Sequence, residues 1–237
     1  MRGRLCLILA ALLLAGCAQK PQAAQPPETA AVQTQATEAL PQLETALPTQ
    51  RVFADGDLVP VTQYVPGIRQ ELRYAGENNF TGQRIYEFSD AYLRWGTVKK
   101  LQAVSEELAQ QGLGLKIWDG FRPVKAQFRL WQVCPDPAYV ANPETGYSAH
   151  SRGNTVDITL VDSQGQPLEM PTDFDDFSAK ADRDYTDCTA QAAANAQLLE
   201  QTMEKHGFRG YWAEWWHFTD TQSYPVEEVF DPPVGTE

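Results

Sequence analysis

Two short segments of this 237-residue chain hold side chains that together could bind a metal ion. The first segment holds His150 and Asp157, and the second holds Glu214 and His217. Two imidazoles and one carboxylate can coordinate a zinc ion and leave its fourth position open for water. The remaining carboxylate is then available as a base. The two segments therefore suggest metal-assisted hydrolysis of a substrate.

The first segment joins a turn to a strand. Residues 155–161 alternate between polar and apolar side chains, which predicts a strand with Asp157 pointing away from its apolar face. The turn before this strand is rich in Ser, Gly and Asn and could fold His150 back over Asp157. A histidine and an aspartate at this spacing also occur in ordinary surface loops. The spacing alone therefore leaves the metal site as one of two interpretations.

The second segment, with the sequence EWWH, places its polar side chains among aromatic residues. A buried His217 needs a polar partner, which could be a metal ion or an ordinary hydrogen-bonding group. Residues three apart point to opposite faces of a flat strand, so a bulge or tight turn must fall within residues 214–217 if both side chains serve one site. Partial burial would raise the pKa of Glu214 toward the range useful for a base. A surface glutamate in an ion pair is the alternative.

Arg122 is a third candidate for chemistry. It lies in the sequence WDGFRP at residues 118–123, where a predicted strand ends and a helix begins. Pro123 fixes its own φ and restricts the residue before it, so the backbone at Arg122 would be held rigidly. Beside a metal, the guanidinium could stabilise the oxyanion of a tetrahedral intermediate. A structural ion pair would explain an arginine at this position equally well.

Periodicity and capping residues predict the elements that must position these side chains. Ser89 and Asp90 are typical of a helix start, and that helix would continue to about Gln111. Further predicted elements are a strand at residues 115–118, a helix starting at Pro123 with Phe128 and Trp131 as its apolar points, and a helix at residues 192–205 followed by His206 and Gly207. No regular βαβ order is present. We therefore predict a single α+β domain with a mainly antiparallel central sheet flanked by helices.

The first fifty residues differ from the rest. Arg2 and Arg4 precede an apolar run that is too short to span a bilayer, which predicts a signal peptide at residues 1–16. The run ends in LAGC, similar to a bacterial lipobox in which the cysteine, here Cys17, is lipidated; an ordinary signal peptide with a chance cysteine is the alternative. Residues 17–50 lack aromatic side chains and predict a disordered tether. We expect an extracytoplasmic, membrane-anchored lipoprotein whose folded domain spans residues 51–237.

Charge and cysteine content narrow the expected partners. The formal net charge is −12, and it becomes −14 when the two basic residues of the signal peptide, Arg2 and Arg4, are removed. An acidic chain does not neutralise phosphates, which argues against a nucleic-acid partner. No obligate protein partner is indicated. Cys134 and Cys188 could pair after export, but the sequence does not give the distance between them.

Four motifs in one order resemble the D-alanyl-D-alanine dipeptidases of the VanX type. They are NFTG at residues 79–82 preceded by Tyr74, WDGFRP at 118–123, SAHSRG at 148–153 followed by Asp157, and EWWH at 214–217. The similarity covers about residues 60–231. It implies a hedgehog/DD-peptidase-like fold and hydrolysis of the D-Ala-D-Ala dipeptide in cell-wall peptide metabolism, so residues 51–237 would be a zinc dipeptidase domain.

The resemblance also implies a role for each site residue. His150, Asp157 and His217 would bind one zinc ion per chain, Glu214 would act as base and then acid, and Arg122 would stabilise the transition state. Asp175 would bind the amino group of the dipeptide. Tyr74 and Ser148 would line the pocket. The expected partners are D-Ala-D-Ala or short D-amino-acid peptides, with the membrane reached through the lipid anchor.

Two departures from the family pattern keep a second activity open. Glu87-Phe88 stands where the family usually has Gly-Tyr, so a hydroxyl is missing. The stretch between Arg122 and His150 is also shorter than in the best-known relatives, which could widen the pocket. The alternative is a D,D- or L,D-carboxypeptidase that trims peptidoglycan stem peptides. The tryptophan pair of EWWH favours the dipeptidase, and a non-catalytic wall-binding protein would be expected to lack Glu214 or a metal ligand.

Overall fold

The computed structural model describes residues 52–234, which form seven strands and three α-helices. The strands are β1 (Leu58–Pro60), β2 (Arg69–Gln70), β3 (Tyr92–Arg94), β4 (Leu113–Asp119), β5 (Thr155–Asp162), β6 (Phe208–Tyr211) and β7 (Glu214–Asp220). The helices are α1 (Trp95–Ala109), α2 (Val124–Val133) and α3 (Ala190–Lys205). Strands β2-β4-β5-β7-β6 form one sheet in that order, and β1 pairs with β3. Of these strand pairs only β2–β4 is parallel, which confirms the predicted α+β class with a mainly antiparallel sheet.

Strands β4 and β5 both lie inside the sheet, and apolar side chains of one strand pair with those of the other. Leu115 lies opposite Leu160, and Ile117 lies opposite Ile158, all fully buried. Helices α1 and α3 pack against the sheet and against each other. Every residue of β5 from Thr155 to Val161 is buried, so even the polar side of its alternating pattern faces protein rather than open solvent. Burial on both faces makes β5 a rigid support for Asp157.

The helix predicted to start at Ser89 and Asp90 starts later, and that part of the prediction was wrong. Residues 92–94 instead pair with β1 as strand β3, and α1 begins at Trp95. The two residues expected to cap the helix instead bind Gln70, whose side-chain amide donates to the backbone carbonyl of Ser89 (3.2 Å) and to Asp90 Oδ1 (2.9 Å). The rest of the prediction holds, because the apolar face of α1 is fully buried and Gly112 follows its end with φ 72°.

Helix α2 begins directly after Pro123, as predicted, but buries a different face. Phe128 is 40% exposed, and the buried positions are Ala126, Gln127 and Leu130. The predicted role of Phe128 as a core residue was therefore wrong. The polar Gln127 takes the inward position because it has two hydrogen-bond partners there, the Arg122 guanidinium and the Ala141 carbonyl.

The remaining predictions concern the C-terminal helix, the cysteines and the N-terminus. Helix α3 ends at Lys205, and His206 lies 2.7 Å from Glu107 of α1, a structural contact. Cys134 and Cys188 are both free thiols. The predicted signal peptide, Cys17 and the tether lie outside the described residues. Within residues 52–234, no helix combines the length and apolarity needed to cross a bilayer.

Candidate active site

One row of the sheet brings three site residues side by side. Asp119 of β4 lies opposite Asp157 of β5, and Asp157 lies opposite His217 of β7. Neighbouring strands are about 4.8 Å apart, so side chains of one row on one face come within reach of each other. Asp119 joins this row because the β4–β5 register shifts between Ile117 and Asp119. A bulge of this kind re-aims a side chain at the edge of a functional site.

The row continues on β7 through a second irregularity. Opposite β6, the partners on β7 jump from Phe218 to Glu214 while β6 advances by one residue, from Gly210 to Tyr211. This is the bulge that the spacing of Glu214 and His217 required. It lets both side chains face the same cavity, with Glu214 Oε2 3.4 Å from His217 Nδ1.

His150 reaches the same point from a short 3-10 turn, Ala149–Arg152. Ser148 begins this turn, and its hydroxyl accepts a hydrogen bond from the His150 backbone N–H at 3.3 Å. Gly153 ends it with φ 74°, where a Cβ atom would also meet the Leu58 side chain at 2.7 Å. His150 Nδ1 lies 2.8 Å from the Gly120 carbonyl, which can only accept, so Nδ1 carries a proton and the other ring nitrogen, Nε2, points toward Asp157.

The three predicted metal ligands meet in one place. Their ligand atoms all lie within 4.8 Å of one another. His150 Nε2 is 3.3 Å from Asp157 Oδ2, and His217 Nδ1 is 3.0 Å from Asp157 Oδ1. Burial alone would raise the pKa of Asp157, but the two neighbouring imidazoles hold that pKa below its usual range. The carboxylate is therefore ionised, as a metal ligand must be.

The donor set fits a metal ion better than it fits a hydrogen-bonded cluster. Asp157 Oδ1 is buried and accepts no hydrogen bond, although His217 Nδ1 is close to it. A buried carboxylate oxygen without a partner is costly. Two imidazole nitrogens and a carboxylate oxygen converging on a common point are a common zinc ligand set. The structure thus supports a metal site at these residues.

Glu214 lies beside this group and is partly withdrawn from solvent. Burial raises the pKa of Glu214, while the adjacent His217 opposes the shift. A carboxylate with a raised pKa is a stronger base than one on the surface. Its oxygen faces the ligand cluster rather than a lysine or arginine, so the alternative of a surface ion pair is excluded by the geometry.

Arg122 is held at the cavity wall by a buried network that the sequence did not reveal. Its Nη2 donates to Asp119 Oδ2 at 2.6 Å, and its Nη1 donates to Gln127 Oε1 at 2.9 Å. Asp119 is fully buried and also accepts from the Tyr86 hydroxyl at 2.7 Å. The guanidinium lies over the Tyr74 ring, 5.1 Å from its centre. Arg122 is thus an ion-pair partner and still lines the cavity, so the two interpretations of its role are compatible.

Asp175 and Tyr74 also line this cavity. The Tyr74 hydroxyl donates to Asp175 Oδ2 at 2.8 Å, and Asp175 adopts φ 57°, in the left-handed region. Burial raises the pKa of Asp175 to about 8, against the lowering effect of that hydrogen bond. An incoming ammonium would favour the ionised carboxylate. Ser148 lines the same cavity, which has a volume of about 300 Å³.

The tryptophans of EWWH hold the loop that carries Asp175. Phe174 inserts among three rings, with centroid distances of 5.8 Å to Tyr74, 5.5 Å to Trp118 and 5.9 Å to Trp216. Trp215 donates its indole N–H to Thr172 Oγ1 at 3.0 Å. The segment that supplies Glu214 and His217 therefore also contacts Thr172 and Phe174, shortly before Asp175 in the chain.

We expect Thr172→Val to loosen this loop. The change keeps the side-chain shape but leaves the buried indole N–H of Trp215 without an acceptor, at a cost of about 1–3 kcal/mol in unfolding free energy. KM for a substrate held by Asp175 should rise as well. Urea unfolding and steady-state kinetics measure the two effects. Thr62→Val, at an exposed threonine, is the matched control; equal stability of both variants would contradict the role of the Trp215 contact.

Comparison with known proteins identifies the family. A family model of M15 peptidases described as D-Ala-D-Ala dipeptidase matches residues 54–233. The chain belongs to this family. It is 39% identical over 173 residues to the D-alanyl-D-alanine dipeptidase of Escherichia coli K12, covering 72% of this chain and 89% of the relative. It is 32% identical over 193 residues to that of Enterococcus faecium, covering 73% and 95%.

Membership of the dipeptidase family makes the protein a metallopeptidase, as the sequence predicted. Among solved structures, the LdcB LD-carboxypeptidase matches with a TM-score of 0.41 and 18% identity over 71% of this chain and 70% of the other.

In the described part of the chain, every site residue predicted from the sequence lines the one cavity around the His150, Asp157 and His217 cluster.

Sequence reasoning missed the residues behind the site. Asp119, Tyr86 and Gln127 were not assigned any role, although the network that they form fixes Arg122. Asp119 lies within WDGFRP, so its position beside Arg122 in the motif was the available signal. The hydroxyl expected at position 88 is absent, and Phe88 instead stacks on Tyr86 with 4.6 Å between ring centres. That contact helps to orient the hydroxyl that Tyr86 offers to Asp119.

Proposed function

We propose that the protein hydrolyses the dipeptide D-Ala-D-Ala to two D-alanines, using a zinc ion bound by His150, Asp157 and His217. The convergence of the three ligand atoms beside Glu214 carries the proposal. Membership of the dipeptidase family supports the substrate. Zinc in such a site acts as a Lewis acid and lowers the pKa of a bound water to about 7.

The protein's own side chains divide the remaining work. Glu214 accepts the proton of the attacking water and later delivers it to the leaving amine, which its position beside His217 allows. Arg122 donates hydrogen bonds to the oxyanion that forms at the peptide carbonyl. Asp119 and Gln127 orient that guanidinium before substrate arrives, so little reorganisation is needed during the reaction.

Substrate recognition is assigned to three other residues that line the cavity, Asp175, Tyr74 and Ser148. Asp175 binds the free ammonium of the dipeptide, and the Tyr74 hydroxyl holds the Asp175 carboxylate in place. Ser148 lines the pocket and positions His150 through its backbone N–H. A carboxylate withdrawn from water favours a substrate that brings its own positive charge. A blocked or extended amino terminus should therefore bind poorly.

Chelation and a choice of substrates test the proposal. Treatment with a chelator should abolish D-alanine release from D-Ala-D-Ala, and one equivalent of Zn²⁺ should restore it. The reason is that the metal bound by the three ligands is what lowers the pKa of the attacking water. The zinc-loaded protein is also given a stem pentapeptide ending in D-Ala-D-Ala. Release from the pentapeptide but not from the dipeptide would replace the proposal with the carboxypeptidase alternative. Activity that survives complete metal removal would contradict the metal site.

We also propose that the enzyme works outside the cytoplasmic membrane as a lipoprotein anchored through Cys17. The basic and apolar start of the chain and the LAGC sequence support this location. The aromatic-poor stretch of residues 17–50 would serve as the tether. D-amino-acid peptides released from the cell wall would be the substrates within reach.

A further inference from the structure

Two aromatic side chains from separate loops meet at the cavity that holds the metal ligands. Tyr139 belongs to the loop between α2 and the turn of His150, and Phe177 belongs to the loop that carries Asp175. Their ring centres are 4.9 Å apart. They are 49% and 36% exposed, so both lie at the mouth of the cavity and not in the core.

The position of this pair is fixed on both sides. Phe177 packs edge-on against Phe80 with 5.2 Å between ring centres. The loop of Tyr139 is held by the buried Val140 and by Gln127, which donates to the Ala141 carbonyl at 2.7 Å. Gln127 is the residue that also binds Arg122. The loop between α2 and His150, whose shortness could have widened the pocket, brings an aromatic ring to its mouth.

The pair lies beside the candidate ammonium site. Phe177 is two residues after Asp175, and a chain of contacts leads from Asp175 through Tyr74 and Phe80 to Phe177. A peptide whose amino group reached Asp175 would have its amino-terminal end next to these rings. Any residue added at that end would have to pass them.

We propose that Tyr139 and Phe177 form a stop at the amino-terminal end of the substrate and thereby exclude peptides longer at that end. The proposal rests on the function proposed above and adds the residues that set substrate length. A cavity of about 300 Å³ is at the lower end for ligand pockets, and the pair limits its extension. Asp175 selects charge at this position, whereas the two rings select size.

Size and charge can be separated with a graded series of substrates. N-formyl-, N-acetyl- and N-(acetyl-D-alanyl)-D-Ala-D-Ala all lack the free ammonium and differ in the bulk of the acyl group. The values of kcat/KM for release of the terminal D-alanine are measured for the wild type, Tyr139→Ala, Phe177→Ala and the double variant. D-Ala-D-Ala is assayed in parallel. Phe128→Ala, at an exposed ring on α2 that lines no part of this cavity, is the control.

We expect the double variant to raise the ratio of kcat/KM for the longest substrate to that for the formyl substrate by at least roughly tenfold. The control should leave this ratio unchanged. A ratio that stays the same or falls in a folded, metal-loaded double variant would overturn the stop; a fall would mean that the rings bind longer peptides. If the double variant does not fold, the same ratio of kcat/KM values is measured on the two single variants instead. Failure of the wild type to cleave D-Ala-D-Ala would contradict the proposed function separately.

Discussion

Replacing Glu214 with glutamine should lower kcat for D-Ala-D-Ala by roughly 10²–10⁴-fold, the usual contribution of a general acid–base group. The amide has the same shape as the carboxylate but cannot take a proton from water or return one to the leaving amine. KM should change little, because Asp175 and not Glu214 is assigned to bind the substrate. The fold should also be preserved, since Glu214 forms no ion pair with a lysine or arginine in the described part of the chain.

Steady-state kinetics and zinc content measured on one preparation test this expectation. Glu214 lies 3.4 Å from His217 Nδ1, so the zinc content must match that of the wild type before a loss of kcat is assigned to proton transfer. Glu106→Gln changes the charge equally on the exposed face of α1, outside the cavity, and should keep full activity. Full turnover by the Glu214 variant would show that another group is the base.

Local patterns in the sequence predicted how single metal ligands are placed, whereas the set of three ligands was implied by the resemblance to the dipeptidase family. The alternation of residues 155–161 gives the direction of Asp157, and the turn before it gives that of His150. The spacing of Glu214 and His217 even required a bulge, which is present. Local geometry of this kind can be inferred from residue type and order.

Features that depend on partners distant in the sequence could not be predicted in this way. Asp119 faces Asp157 only because of a bulge in the β4–β5 pairing, and that register is set across 38 residues of chain. Ser89 and Asp90 are good capping residues, but the side-chain amide of Gln70 donates hydrogen bonds to both of them. Phe128 was expected in the core, yet Gln127 takes the inward position, where its side-chain oxygen accepts a hydrogen bond from Arg122. In the last two cases, a tertiary hydrogen bond overrides a local preference.

Replacing Arg122 with alanine should reduce both activity and stability. Loss of a hydrogen-bond donor to the oxyanion lowers kcat by roughly 10²–10³-fold. The same change leaves Asp119 fully buried without its charged partner, and breaking such a pair costs about 3–5 kcal/mol of unfolding free energy. Tyr86 and the Gly120 N–H still donate to Asp119, which keeps the expected cost toward the lower end of that range.

Arg122→Lys separates the two effects. A lysine keeps the positive charge near Asp119, so most of the stability should return, but it lacks the planar fork that donates to Asp119 and Gln127 together. Its kcat should therefore stay far below that of the wild type while urea unfolding shows only a small change. Arg129→Ala, at a half-exposed arginine of α2, should change stability by less than about 0.5 kcal/mol. If the lysine variant recovers full kcat, charge alone is sufficient and the orientation given by the Asp119 network has no catalytic role.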